Sequence, residues 1–432
     1  MTTSAPITGR RFVTPLILVT ILFFLWALAV NLNDVLIPHL KKVFDLNDFQ
    51  SALIQVAFFG GYCLSALPAG RLLETIGYKN GIVVGLVTCA AGALLFIPAA
   101  SIQVYGLFLF ALFVMACGQG VLEVAANPYV TLLGPADSSE RRLNLAQSFN
   151  AVGAVVTPFI GSAFILSTLE YSREQLTAMT PIEITAYRTA VVSTVRMPYV
   201  VIAGIFFVYA VVIFLSKLPE VGASDGDVKE SAKEELHDIL RYSHLIKGVI
   251  AQFFYVGAQI GVASFVIRLA QHSIPGMLQK DASYYLKLHL IGFMIGRFSG
   301  SYIMKRVPAA KLLSLFAFST LICLLVVLLG TGAAPLWAVV LIGFFHSIMF
   351  PTIFALSIKH LGRYTKLGSS LLVASILGGA ICPAIMGFIS DHSSIRVAFI
   401  VPLICQAYVL YFAMRGYRAV LVTGAPAAEV GT

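Results

Sequence analysis

Charged side chains are scarce in this sequence. They fill 11% of its 432 positions, where a soluble domain carries about a quarter. Hydrophobic residues take 59% and mean hydropathy is +0.90, which excludes an ordinary soluble globule and points to an all-α polytopic membrane protein. The chain also lacks any glycine loop of P-loop or dinucleotide type. An energy source must then be an ion gradient or a partner. The six cysteines, Cys63, Cys89, Cys117, Cys323, Cys382 and Cys405, lie in apolar runs without metal-type CxxC spacing. They read as free packed thiols, with no disulfide and no metal. No nucleophile or metal constellation stands out, so no enzyme is expected. The net charge of +9 is no nucleic-acid signal here, because membrane proteins collect basic residues in cytoplasmic loops.

What the chain has in quantity is apolar runs. At about 20 residues per crossing, twelve spans are expected near 12–39, 50–73, 80–99, 103–133, 143–168, 196–216, 246–271, 284–304, 310–330, 334–360, 367–390 and 395–415. The run Phe12–Val30 after Arg10 and Arg11 is longer than a signal h-region, so it reads as a retained first helix. Short connections with Arg71/Lys79, Arg141/Arg142, Lys305/Arg306/Lys311, Lys359/Arg363/Lys366 and Arg415/Arg418 favour both termini in the cytoplasm. The polar break Lys217–Lys247 divides the chain into residues 1–216, a cytoplasmic linker 217–245, and residues 246–432. A short surface helix is expected at Glu230–Tyr242. Two six-helix halves with a site between them follow a recurring transporter plan.

Within the fourth span, Gln119, Glu123 and Asn127 are four apart and stack on one helical face. A carboxylate within a membrane span costs several kcal/mol and marks a functional site by default; the bland alternative is polar glue between helices. The first span ends with Asn31 and Asp34 on a shared face, and the fifth opens with Gln147 and Asn150 likewise. The seventh carries Gln252, Tyr255 and Gln259. Amides beside aromatic faces suit sugars, whose hydroxyls need paired donors and acceptors and whose C–H faces stack on rings. Trp26, Phe253, Phe254 and Phe350 are the candidate stacking partners. Arg297 either pairs with a carboxylate or snorkels to an interface. Arg268 and Lys359 are expected to snorkel. His346 either relays protons or packs.

The stretch Gly70–Lys79 has the form G-x-L-x-acid-x-x-G-x-base, with Gly70, Glu74, Gly77 and Lys79 at the marked places. It resembles the signature loop of the major facilitator superfamily, with Glu74 where Asp is usual. The stretches FFLWALAVNLNDVLIP, LEVAANPYVTLLGP, RLNLAQSFN, AQFFYVGAQ, IGRFSG and FPTIFALSIKHLG extend the resemblance to the fucose–galactose–glucose:proton symporter family.

That resemblance implies a major facilitator fold of twelve transmembrane helices in a bacterial inner membrane. It implies proton-coupled import of a small neutral monosaccharide, with the proton as coupling ion and no cofactor, by a functional monomer that needs only bilayer, sugar and proton as partners. Asp34 and Glu123 become the protonatable pair, and Asn31, Gln147, Asn150 and Gln259 polar contacts to sugar. The fucose branch has Glu at the place of Glu123 and the glucose/galactose branch Gln, which favours L-fucose. Ala263 and Phe350, where the fucose branch has Trp and Tyr, keep glucose, galactose or an N-acetylhexosamine as the alternative. Rival readings are a multidrug antiporter and a non-transporting sugar sensor.

Overall fold

The computed structural model describes residues 9–43, 48–102, 104–164, 179–221 and 237–418; the side chains of 10, 32–43, 48–52, 158–164, 181 and 184–195 are outside that description. Every regular element among the described residues is helical. The N-terminal half holds α1 (Val13–Val43), α2 (Asp48–Ile102), α3 (Tyr105–Leu132), α4 (Ser139–Phe164) and α5 (Pro181–Leu215). The C-terminal half holds α6 (Ser243–Ser273), α7 (Gln279–Ile303), α8 (Ala309–Leu329), α9 (Ala334–His346) and α10 (Met349–Ile358). It ends with α11 (Thr365–Ala374), α12 (Gly378–His392), α13 (Ile395–Ala398) and α14 (Ile400–Tyr411), the last running into a π-turn at Phe412–Gly416. The surface helix expected over 230–242 lies largely outside the described residues.

At 55 residues, α2 is far longer than the roughly 20 residues that cross a bilayer. It is two crossings. Gly77 breaks it with φ 76° and ψ 173°, a conformation open essentially to glycine alone. The chain doubles back there, because a Cβ on Gly81 would collide with Leu73, which a straight helix would hold about 12 Å away.

Among the described residues nine helical stretches are long and apolar enough to cross a membrane by composition, the doubled one among them. The expected fifth and eighth spans are not in that set, although both exist as the helices α4 and α7. On α7 the buried polar residues His289 and Arg297 explain it; on α4 the described side chains, 139–157, open with Glu140, Arg141 and Arg142 and leave out the apolar residues that follow. Helices that turn polar groups inward lose mean hydropathy without losing their place in the membrane.

The expected tenth span is one stretch cut in two, with a turn at Ser347–Ile348 between α9 and α10. Pro351 causes the cut. It has no N–H to give to the carbonyl four residues earlier, that of Ser347. Arg142, counted in the sequence among the basic residues of short connections, is fully buried. Its Nε donates to Val130 O at 2.7 Å and its Nη1 to Ser138 Oγ at 2.9 Å, while Nη2 donates to Thr131 O. It caps the last carbonyls of α3, where a cation is favoured.

The halves meet along α4. Asn144 Nδ2 donates to Thr352 Oγ1 at 3.0 Å, and Lys359 Nζ pairs with Glu140 Oε1 at 2.9 Å. Lys359, expected to snorkel, is instead drawn inward by that buried carboxylate. Nearby, Lys366 lies 5.4 Å over the Tyr78 ring, and a Cβ on Gly70 would strike Ser370. Gly70 therefore lets α2 touch α11.

Candidate functional site

The apolar first half of α3 gives way to Gln119, Glu123 and Asn127, and all three side chains are buried. Lipid cannot satisfy them, so their partners must be protein or a bound polar molecule. Tyr62 Oη donates to Gln119 Oε1 at 3.3 Å. One turn on, Asn127 Nδ2 donates to Glu123 Oε1 at 3.0 Å.

From Asn127 the bonds continue away from the carboxylate. Gln147 Nε2, on α4, donates to Asn127 Oδ1 at 3.0 Å. Arg297 Nη1, on α7, donates to Gln147 Oε1 at 3.0 Å and also to Gln147 O. Three donor–acceptor steps thus join a guanidinium in one half to a carboxylate in the other. Each amide accepts on its oxygen and donates through its nitrogen, so every step is polarised toward Glu123.

Arg297 is 5% exposed, as is Glu123. Its Nε donates to Ser347 O at 3.0 Å, the carbonyl released by Pro351, and its guanidinium lies 4.7 Å over the Phe293 ring. The neighbouring carbonyl, His346 O, accepts from Tyr255 Oη at 2.9 Å. A buried arginine needs several acceptors to offset its lost hydration, and the broken helix provides one of them. Of its two sequence readings, snorkelling is excluded and the pairing is indirect, through two amides.

The other expected contacts lie on α1, α4, α6 and α10. Asn31 Nδ2 donates to Ala27 O at 2.8 Å and Asn150 Nδ2 to Phe23 O at 3.2 Å. The second bond bridges α4 to α1, where Gly153 brings the backbones together. Gln147 and Asn150 share a face of α4 yet serve different partners. Trp26 is buried and stacks on Phe23, ring centroids 5.8 Å apart. Phe350, half-buried, lies 6.5 Å from Tyr255 and stacks on Phe354 at 6.3 Å. Gln259 and Ala263 are half-buried on α6. The Asp34 side chain lies outside the described residues.

In the loop, Glu74 is exposed and Lys79 Nζ lies 5.9 Å over the Phe214 ring. The carboxylate at Gly77 is that of Glu220, which accepts from Tyr78 N at 3.2 Å. It meets the new helix at its N-terminus, where anions are favoured. Arg297, Tyr62 and Glu220 were not placed in the site by sequence. A signal existed for the first: Pro351 announces a free carbonyl in the apolar tenth span, and a buried donor must reach it.

Residues 19–374 match the Major Facilitator Superfamily. The chain is 43% identical over 404 residues to a glucose/galactose transporter of Brucella abortus, covering 93% of each protein. It is 42% identical over 409 residues to the L-fucose-proton symporter of Escherichia coli, covering 94% of this chain and 93% of that one. A crystal structure of a major facilitator transporter, FucP, in the outward conformation superposes with a TM-score of 0.89 at 42% identity, over 94% of this chain and 99% of that chain. This chain belongs to the major facilitator superfamily, in the family of the L-fucose-proton symporter and the glucose/galactose transporters.

Proposed function

We propose that the protein is a proton-coupled sugar symporter of the inner membrane that imports a small neutral monosaccharide, L-fucose, by alternating access. The relatives are transporters by name, and none of those cited is an enzyme. Their near-equal identities of 43% and 42% do not choose the sugar. The observation that carries the choice is Glu123, a buried carboxylate aligned by Asn127. A carboxylate accepting from sugar hydroxyls makes stronger, charge-assisted bonds than an amide in its place. Asn31, Asn150 and Gln259 would supply further polar contacts, with Trp26 and Phe350 as apolar faces.

The coupling follows from the chain of amides. With Glu123 ionised, Arg297, Gln147 and Asn127 are polarised toward it, and α3 is tied to α7 across the halves. Protonation removes the charge that holds the series, so Gln147 and Asn127 become free to serve sugar hydroxyls. The loaded, neutralised carrier then reorients more easily. Asp34 is the second protonatable group. The loop residues Gly70, Glu74, Gly77 and Lys79, together with the Glu140–Lys359 pair, would hold the halves closed at their basic end. By the positive-inside rule that end, with both termini, faces the cytoplasm.

A second reading keeps the mechanism and changes the sugar. Ala263 is small and half-buried on α6, and a wider pocket there suits glucose, galactose or an N-acetylhexosamine. Uptake of labelled L-fucose challenged with each unlabelled sugar separates the two. Competition by fucose alone supports the first reading, and competition by another hexose without fucose overturns it. An antiporter would show uptake of no sugar, and a sensor would bind sugar without accumulating it.

A further inference from the structure

In the C-terminal half two thiols face each other. Cys382 on α12 and Cys405 on α14 have Sγ atoms 3.9 Å apart and are 3% and 2% exposed. They share a small apolar cluster with Ala258, edged by Phe253, Phe254 and Val401. Cys89, by contrast, directs its thiol to Met115 O at 3.6 Å.

The pair also touches α6. A Cβ on Gly257 would stand 2.8 Å from Cys382 Cβ and collide with its Sγ. Cys382 is therefore wedged between α14 and the stretch of α6 that carries Tyr255 and Gln259. Its own helix is open to lipid on the other side, where Ile381 and Ile385 are exposed.

From this geometry we propose that Cys382 and Cys405 form a dithiol site for apolar trivalent arsenicals, and that filling it arrests transport. The arrest rests on the transport reading above; the capture of arsenic does not. An organoarsenoxide, R–As=O, forms two As–S bonds with the pair. Its oxygen leaves as water with both thiol protons, and arsenic stays trivalent, so no oxidant is needed. Two sulfurs already held together make the second bond effectively intramolecular, which favours this pair over any single thiol. Lipid delivers an apolar arsenical to the exposed flank of α12. The bridging arsenic has no room beside Gly257, so it must displace α6 or splay α12 from α14. Either movement disturbs the wall that carries Tyr255 and Gln259.

The test uses the full chain in proteoliposomes treated with phenylarsine oxide. Intact-mass measurement should find one phenylarsenic per chain, and sugar uptake should fall at least ten-fold. Uptake should return with 2,3-dimercaptopropanol and not with excess 2-mercaptoethanol. Cys382→Ser and Cys405→Ser should each lose both adduct and sensitivity, whereas Cys89→Ser keeps them. For a variant that does not fold, the wild type serves: alkylation in denaturant after arsenical treatment should find Cys382 and Cys405 protected together. An adduct mapped elsewhere, or none, overturns the site. An adduct with uptake intact overturns the arrest. In a chain that moves no sugar, the adduct alone still decides the site.

Discussion

Arg297 and Gln147 stand in opposite halves of the chain, and the arginine holds the glutamine twice, once at its side-chain oxygen at 3.0 Å and once at its backbone carbonyl. The same guanidinium reaches Ser347 O at 3.0 Å. One planar cation thus joins α7, the break between α9 and α10, and α4. Lysine could not reproduce it, because a point charge lacks the rigid fork of donors.

Arg297→Lys is therefore expected to lower uptake at least ten-fold. Losing one charge-assisted bond to a buried group costs about 1.5–3 kcal/mol, which is about ten-fold or more in an equilibrium. Initial uptake rates, normalised to the amount of protein in the membrane, check it; wild-type rates in the lysine variant would show that the fork is unnecessary.

Glu123→Gln keeps the shape of the acceptor and removes its charge. Sugar binding should weaken, and its dependence on pH should flatten, because the group that titrates is gone. Glu123→Ala should bind more weakly still. Binding titrations from pH 5 to 9 decide it, and three coincident curves would reduce Glu123 to helix glue.

Asp34→Asn should abolish accumulation against a gradient while leaving sugar-for-sugar exchange, which needs no net proton movement. Counterflow in preloaded vesicles separates these two activities. Accumulation at the wild-type level would remove Asp34 from the coupling.

The Glu140–Lys359 pair, at 2.9 Å, has the carboxylate buried and the ammonium part-exposed. Such a pair contributes about 1 kcal/mol, so Lys359→Ala should shift the balance of open and closed halves about five-fold. Alkylation of cysteines placed on α4 and α10 beside this pair should accelerate accordingly. Unchanged alkylation rates would mean that the pair does not restrain opening.

Sequence made some of this site legible and concealed the rest, for identifiable reasons. The stack of Gln119, Glu123 and Asn127 was readable because spacing within one helix fixes a shared face. Arg297 and Gln147 are 150 residues apart, and no helical periodicity pairs residues at that separation. Arg142 was legible only as a basic residue of a short connection; that its guanidinium folds back on the free carbonyls ending α3 is set by packing. The fifth and eighth spans were found from their apolar runs, although the eighth buries His289 and Arg297, which lower its hydropathy. The cut in the tenth span was foreshadowed by Pro351. That Arg297 is the donor reaching the freed carbonyl is set by packing between helices.

The central claim is that sugar and proton enter together. The measurement is the external pH of a lightly buffered, energy-depleted suspension of cells carrying the protein but no permease of their own, on addition of L-fucose. Wild type should alkalinise the medium promptly, and Asp34→Asn should not. Accumulation of labelled fucose without any change in pH would contradict it.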